Sequence, residues 1–198
     1  ALRTRHLKRR LAWSTVSNLS YVLLGVSLLT PEGLLAGLTH MVFHAVLKIT
    51  LFFGVGAVHY KMHRDTVDEI EGCGPLMPVV FSTFTIASLG LIGVPPLAGF
   101  SSKWLLATAS AALRHPLGYL GAAALAVSAV LTALYLLEIV MLAFFPRQNR
   151  AISVKIPRRA RRDPSYRMCL PMGAIALVSL ALGVGSSQVI SLLGTLVL

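Results

Sequence analysis

Charge is scarce in this sequence, and acid is scarcer still. Only 13% of its 198 residues are charged, and 18 Lys and Arg stand against 7 Asp and Glu. A soluble domain carries roughly 25% charged residues, so the side chains that hydrate a globular surface are largely missing. Cysteine is limited to Cys73 and Cys169, with no CxxC or Cys/His spacing for a metal or an iron–sulfur cluster. Both fall near expected cytoplasmic helix ends, where thiols stay reduced. A nucleotide-binding glycine loop and an HExxH motif are absent, and the serines lack a triad context. Nothing therefore points to a cofactor, a metal or covalent catalysis. A signal peptide is also missing. The chain opens at Ala1 on a basic stretch, as expected of a piece cut from a longer chain.

What the sequence has in abundance is apolar length. Hydrophobic residues make up 56% of the chain and mean hydropathy is +0.76. Apolar runs extend over about 11–29, 34–60, 77–113, 117–145 and 168–198, each near or above the roughly 20 residues that span a bilayer core. The runs lack the polar face of a soluble core helix. An all-α, polytopic transmembrane bundle of about five spans is expected. The net charge of +11 raises the question of nucleic acid, but position answers it. Most basic residues fall in two clusters beside apolar runs. One is Arg3, Arg5, Lys8, Arg9 and Arg10, and the other extends from Arg147 to Arg167. That is the pattern of cytoplasmic loops on a multi-pass inner-membrane protein, with anionic lipid heads as neighbours and no nucleic-acid partner.

The third run is nearly twice one span, and Pro95-Pro96 interrupts it among Gly90, Gly93 and Gly99. A regular helix does not pass through such a pair. Either two crossings meet in a tight turn, or one crossing is made by a broken helix. With the first basic cluster in the cytoplasm, two crossings leave the eight Lys and Arg of 147–167 outside, whereas one crossing keeps them inside. The positive-inside rule favours one discontinuous helix, broken at Pro95 and Pro96. Freed backbone groups at such a break must face protein or water, and breaks of this kind line ion paths.

Ionisable residues inside a span are costly and mark functional sites by default. The second span carries His40, His44 and Lys48, spaced i, i+4, i+8, which stacks them on one helix face. Histidine titrates near neutrality and a buried lysine shifts towards it, so such a row suits a proton relay through intervening water. Helix-packing hydrogen bonds are the bland alternative for each histidine. Lys103 follows Ser101-Ser102 just past the break, as a deep site or as a lysine that snorkels to the interface. Glu138, the acid of the fourth span, has three open roles: a partner for a lysine, a relay member, or an end residue. His59 and His63 are expected at the surface, Lys8, Arg9 and Arg10 as topogenic charges, and Trp13 and Trp104 as interfacial anchors.

These residues resemble a known family. The stretch from Leu7 to Ser17 resembles the loop-and-helix start of antiporter-like subunits of respiratory complex I. Thr39 to Lys48 resembles their histidine–lysine helix, and Ile92 to Trp104 their discontinuous helix with its key lysine. Thr132-Ala133-Leu134-Tyr135 fits the helix that follows. The same domain occurs in Mrp-type cation/proton antiporters and membrane-bound hydrogenases. The resemblance implies two inverted five-helix repeats, each a proton half-channel. Residues 1–146 would be the second repeat without its first helix, 147–167 a basic cytoplasmic loop and 168–198 a final transmembrane helix. It also implies that Lys103 is the lysine of the broken helix, and that His40, His44 and Lys48 link it towards the central axis. The family's first-repeat glutamate, its partner lysine and the following central residue have no counterpart here. The expected function is that of a proton-translocating membrane subunit of an NADH-quinone oxidoreductase-type complex, without redox cofactors of its own. Its expected partners are other antiporter-like and redox membrane subunits, lipid, and protons. An Mrp-type module that exchanges Na⁺ for protons is the first rival, and a structural subunit with an inactive channel is the second.

Overall fold

The computed structural model describes residues 1–146 and 163–197. Among the described residues seven helices follow one another: α1 Leu7–Ser27, α2 Pro31–Met62, α3 Pro78–Ile92, α4 Ala98–Ala112, α5 Pro116–Phe144, α6 Tyr166–Val184 and α7 Ser186–Val197. The chain is an all-α polytopic membrane bundle. Three of its helices, α2, α5 and α6, are long and apolar enough to cross a membrane. The basic loop expected over 147–167 lies outside the described residues as far as residue 162.

Local chemistry sets the helix ends. Pro31 and Pro116 sit in the first turns of α2 and α5, where a missing N–H costs nothing. Thr30 caps α2 by accepting from the Gly33 amide at 3.0 Å. At the far end of α2 the chain turns through His63 in the left-handed region. The 32 residues of α2 reach about 48 Å, well beyond a bilayer core of about 30 Å.

In lipid, helices associate by close packing rather than by the hydrophobic effect. Glycine provides that closeness between α1 and α2. A Cβ on Gly25 would lie 2.6 Å from the Gly33 carbonyl oxygen and 2.9 Å from the Gly37 Cα. The N-terminal segment is tied to the α2–α3 loop by backbone bonds, Leu7 to Asp65 at 2.8 Å and Val67 to Arg5 at 2.9 Å. A buried apolar core, including Leu7, Leu51, Val80, Phe84, Met77 and Ile139, joins α1, α2, α3, α5 and that loop. Large apolar side chains on the outer faces, such as Leu23, Leu120, Val130 and Leu177, stay exposed.

Two helix interruptions meet in space. The first separates α3 from α4 at Gly93-Val94-Pro95-Pro96-Leu97. The second separates α6 from α7 at Gly185, so the last apolar run is carried by two helices and not by one. A Cβ on Gly183 would stand 2.6 Å from the Pro96 oxygen and 2.9 Å from the Ala98 nitrogen. The α6 backbone therefore rests directly on the bridge between α3 and α4. Ser101 Oγ donates to Ser186 Oγ at 3.0 Å and fastens α4 to α7 beside it.

Candidate functional site

The site forms where α1, α2, α4 and α5 converge, beside the α3–α4 bridge. The helix face made by Leu7, Arg10, Leu11, Ser14, Asn18, Tyr21 and Gly25 is the buried face of α1. Its polar members meet the buried row of α2, which holds His40, His44 and Lys48. The i, i+4 spacing stacks the two imidazoles, with ring centroids 5.8 Å apart and planes 23° apart. Lys48 follows one turn further on.

The bridge between α3 and α4 brings Lys103 to the same seam. A helix C-terminus leaves carbonyls without intrahelical donors and carries partial negative charge. The Lys103 ammonium supplies what α3 lacks there, donating to the Leu91 oxygen at 2.7 Å and to the Ile92 oxygen at 3.0 Å. Gly93, at φ +97°, lets the backbone turn away immediately after these carbonyls, and the Lys103 stem lies against it. The lysine of α4 thus caps the helix before the break.

Lys103, His40 and His44 are connected through Tyr21. The Lys103 Nζ sits 5.7 Å from the Tyr21 ring centroid, and the same ring meets His40 edge-on at 5.1 Å. His40 Nδ1 also pairs with Ser102 Oγ at 3.0 Å, so adjacent α4 residues touch both the histidine and the tyrosine. At the other end, Lys48 Nζ donates to the Leu11 oxygen at 3.0 Å and to Ser14 Oγ at 2.7 Å. Ser14 Oγ in turn shares a short hydrogen bond with the Tyr135 hydroxyl of α5.

Four of the five expected proton-translocation residues are buried, His40 at 1% exposed, His44 and Lys48 at 5% and Lys103 at 9%, whereas the Glu138 side chain is about a quarter exposed. The bundle thus encloses the Lys103 ammonium. Among the described residues neither Lys48 nor Lys103 makes an ion pair; both ammonium groups rest on neutral oxygens. His40 Nε2, His44 Nε2 and Asn18 Oδ1 are buried without a protein partner. Buried polar atoms in this state are the ones that ordered water satisfies.

Glu138 lies apart from the lysines. Its carboxylate accepts from Arg10 Nη1 at 2.7 Å and from Arg5 Nη1 at 3.0 Å. Arg10 is fully buried, unlike a topogenic loop charge. Arg3, Arg5 and Arg9 are the exposed members of the cluster, and the partly exposed Lys8 pairs with Asp65 at 3.6 Å. Ser14, Tyr21 and Asn18 are polar members of the site that the charge inventory did not single out, and Arg10, expected as a topogenic charge, joins them with Ser102 and Tyr135. A signal for the α1 members was present, since Leu7, Arg10, Leu11, Ser14, Asn18 and Tyr21 recur at helical spacing. His59 pairs with Asp65 at 2.9 Å at the water-facing end of α2. Among the described residues no group of three His, Cys, Asp or Glu is placed to hold a metal ion.

Comparison with known proteins places this arrangement. The family described as "NADH:quinone oxidoreductase/Mrp antiporter, TM" matches residues 1–144. The NADH-quinone oxidoreductase subunit N of Desulforudis audaxviator (strain MP104C) is 32% identical over 203 residues, covering 96% of this chain and 39% of that protein. Among solved structures, a chain of the Mrp complex from Dietzia sp. DQ12-45-1b superimposes with a TM-score of 0.85 at 26% identity. That match covers 99% of this chain and 43% of the other. A chain of the membrane-bound sulfane sulfur reductase, an archaeal respiratory membrane complex, also gives 0.85 at 25% identity, over 99% of this chain and 38% of that one. The chain thus spans less than half the length of the proteins it resembles.

Proposed function

The chain belongs to the NADH:quinone oxidoreductase/Mrp antiporter transmembrane family, and from that premise we propose that it is the proton-conducting part of an antiporter-like subunit in a respiratory, ion-translocating complex. The observation that carries this is the polar line from Lys103 through Tyr21 and the His40–His44 stack to Lys48, buried in a membrane bundle. Buried lysines without carboxylate partners are expensive, and a proton path is a use that repays the cost. Lys103 holds the proton at the helix break. Water bound at the free imidazole nitrogens passes it along α2, and Lys48 receives it at the α1–α5 end. Tyr21 lines the path. Glu138 stands at the outer end of the line.

The same proposal fixes the topology. At 15 residues each, α3 and α4 measure about 22 Å, short of a bilayer core of about 30 Å. Together they make one crossing, broken at Pro95-Pro96, and the bundle crosses about five times. Residues 1–146 form the second antiporter-like repeat, 147–167 the basic cytoplasmic loop and 168–198 the final span, in a cell inner membrane. The partners are further antiporter-like and redox membrane subunits and the surrounding lipid.

The test is proton uptake by inverted membrane vesicles that carry the full-length parent complex, with Lys103→Ala against wild type and assembly checked by blue native gel. Uptake lost from an assembled complex supports the proposal. Unchanged uptake and assembly overturn it in favour of a structural subunit. The likeness to the Mrp complex chain favours one second reading, Na⁺/H⁺ exchange, which predicts that Na⁺ alone drives the proton signal in the same vesicles.

A further inference from the structure

Arg10 is the largest fully buried side chain in the described structure and also its only fully buried charge. Its guanidinium is almost saturated. Nε donates to the Thr4 oxygen at 2.9 Å, Nη1 to the Tyr135 oxygen at 3.0 Å and to Glu138 Oε2 at 2.7 Å, and Nη2 to the Leu2 oxygen at 3.3 Å. A single carboxylate therefore balances the buried charge. That carboxylate remains about a quarter exposed and reaches Arg5, which extends in turn to Asp68 at 3.6 Å.

Arg10 and Lys48 share their surroundings. Lys48 bonds to the carbonyl of Leu11, the residue after Arg10, and to the hydroxyl of Ser14, one turn beyond. Tyr135 is held at both ends. Arg10 takes its backbone oxygen, while its hydroxyl joins the Ser14 group that receives Lys48. Two buried cations thus lie on opposite sides of one tyrosine, and only one of them has a counter-ion. Like charges in low-dielectric surroundings interact strongly. The protonation of Lys48 then depends on whether Glu138 cancels Arg10. The other charged groups facing this cluster are Arg5 from the N-terminal segment, and Asp68 and Asp65 from the α2–α3 loop, with Lys8 and His59 already paired to Asp65.

We propose that the Arg10–Glu138 ion pair is a positioning and electrostatic control element for Lys48, through which a carboxylate at the water side regulates charge on the buried relay. The pair does not carry the proton. It holds Tyr135 and the first turns of α1 in the geometry that cradles Lys48, and it neutralises the buried charge one residue before Leu11. This rests on the relay reading of the same site.

The experiment uses the parent complex in inverted vesicles and records the pH profile of proton uptake for Glu138→Gln, Arg10→Gln and the double variant. Glu138→Gln leaves Arg10 uncompensated, so the alkaline limb of the profile is expected to move to lower pH, by about one unit. Arg10→Gln leaves the carboxylate, and the limb moves the opposite way. The double variant removes both charges and returns the limb close to wild type. If Arg10→Gln fails to assemble, Glu138→Gln carries the test, because its side chain keeps its size and partial exposure. An unmoved profile with reduced uptake overturns the proposal and leaves a packing role only, as do shifts of the same sign in both single variants. Loss of uptake in Lys103→Ala beside unmoved profiles refutes this inference alone. No effect of Lys103→Ala refutes the relay reading beneath it.

Discussion

The helix break is built on a contact that tolerates no side chain, and its replacement gives a measurable effect. A Cβ placed on Gly99 would lie 2.0 Å from the Gly90 carbonyl oxygen and 3.0 Å from its carbon. Both are backbone atoms, so no rotamer change relieves the clash. Restoring an ordinary contact requires the end of α3 and the start of α4 to part by about 1 Å. The carbonyls of Leu91 and Ile92, immediately after Gly90, now lie 2.7 and 3.0 Å from Lys103 Nζ. Lengthened by that amount, both leave hydrogen-bond range. Each such bond to a charged donor is worth about 1.5–3 kcal/mol, and the buried ammonium would be left short of acceptors. Gly99→Ala is therefore expected to cost about 3–5 kcal/mol, offset by about 1 kcal/mol of helix propensity. The control is Gly56→Ala, within α2, where a Cβ meets nothing within 4 Å. Thermal unfolding of the detergent-solubilised protein reads both variants. A Gly99→Ala midpoint equal to that of Gly56→Ala would refute the claim that backbone contact at the break positions Lys103.

Two further outcomes follow from the geometry. Gly183→Val drives side-chain atoms into the Pro96 oxygen and the Ala98 nitrogen, so it is expected to lower the unfolding midpoint and to loosen the Ser101–Ser186 link, read as faster amide exchange at the start of α7. Glu69 accepts from the Thr66 and Asp65 amides at 2.9 Å each, and these bonds hold its carboxyl below the usual range near 4.5. Because the folded-state value is depressed, the order it gives to the loop is complete above that range and lost as pH falls through the lowered value; Glu69→Gln should raise exchange at Asp65 and Thr66 at neutral pH and remove the acid dependence.

How far the site could be read in advance depended on whether a partner lay on the same helix. The row of His40, His44 and Lys48 was legible because one helical repeat places all three on one face. The break was legible because Pro95-Pro96 cannot continue a helix. Helix limits came within a few residues wherever Pro or Gly marked them. Arg10 was misjudged because it sits among loop charges in sequence, and only its register with Leu7, Leu11 and Ser14 turns it inward. Its partner Glu138 lies 128 residues away on α5. No local pattern encodes that pairing, which exists only once α1 and α5 are packed. The capping of α3 by Lys103 was hidden in the same way. The second interruption at Gly185 had a cue in the Gly183-Val184-Gly185-Ser186-Ser187 run, but an unbroken apolar stretch outweighed it.

The arrangement of charge along the seam separates two kinds of buried cation. Arg10 is closed off: every edge of its guanidinium meets an oxygen, and one of those belongs to a carboxylate. Such a group is fixed in place and in charge, and removing its partner costs several kcal/mol. Lys48 and Lys103 are held instead by carbonyl and hydroxyl oxygens. These acceptors position an ammonium but supply no counter-charge. Between the two lysines lie imidazole nitrogens without protein partners. A bundle stabilised for its own sake would pair or replace these groups with apolar ones, a change that is commonly neutral or favourable. On the proposed relay reading, the neutralised Arg10–Glu138 pair fixes the geometry at one end of the line, and the two lysines without counter-ions are the groups left to exchange a proton.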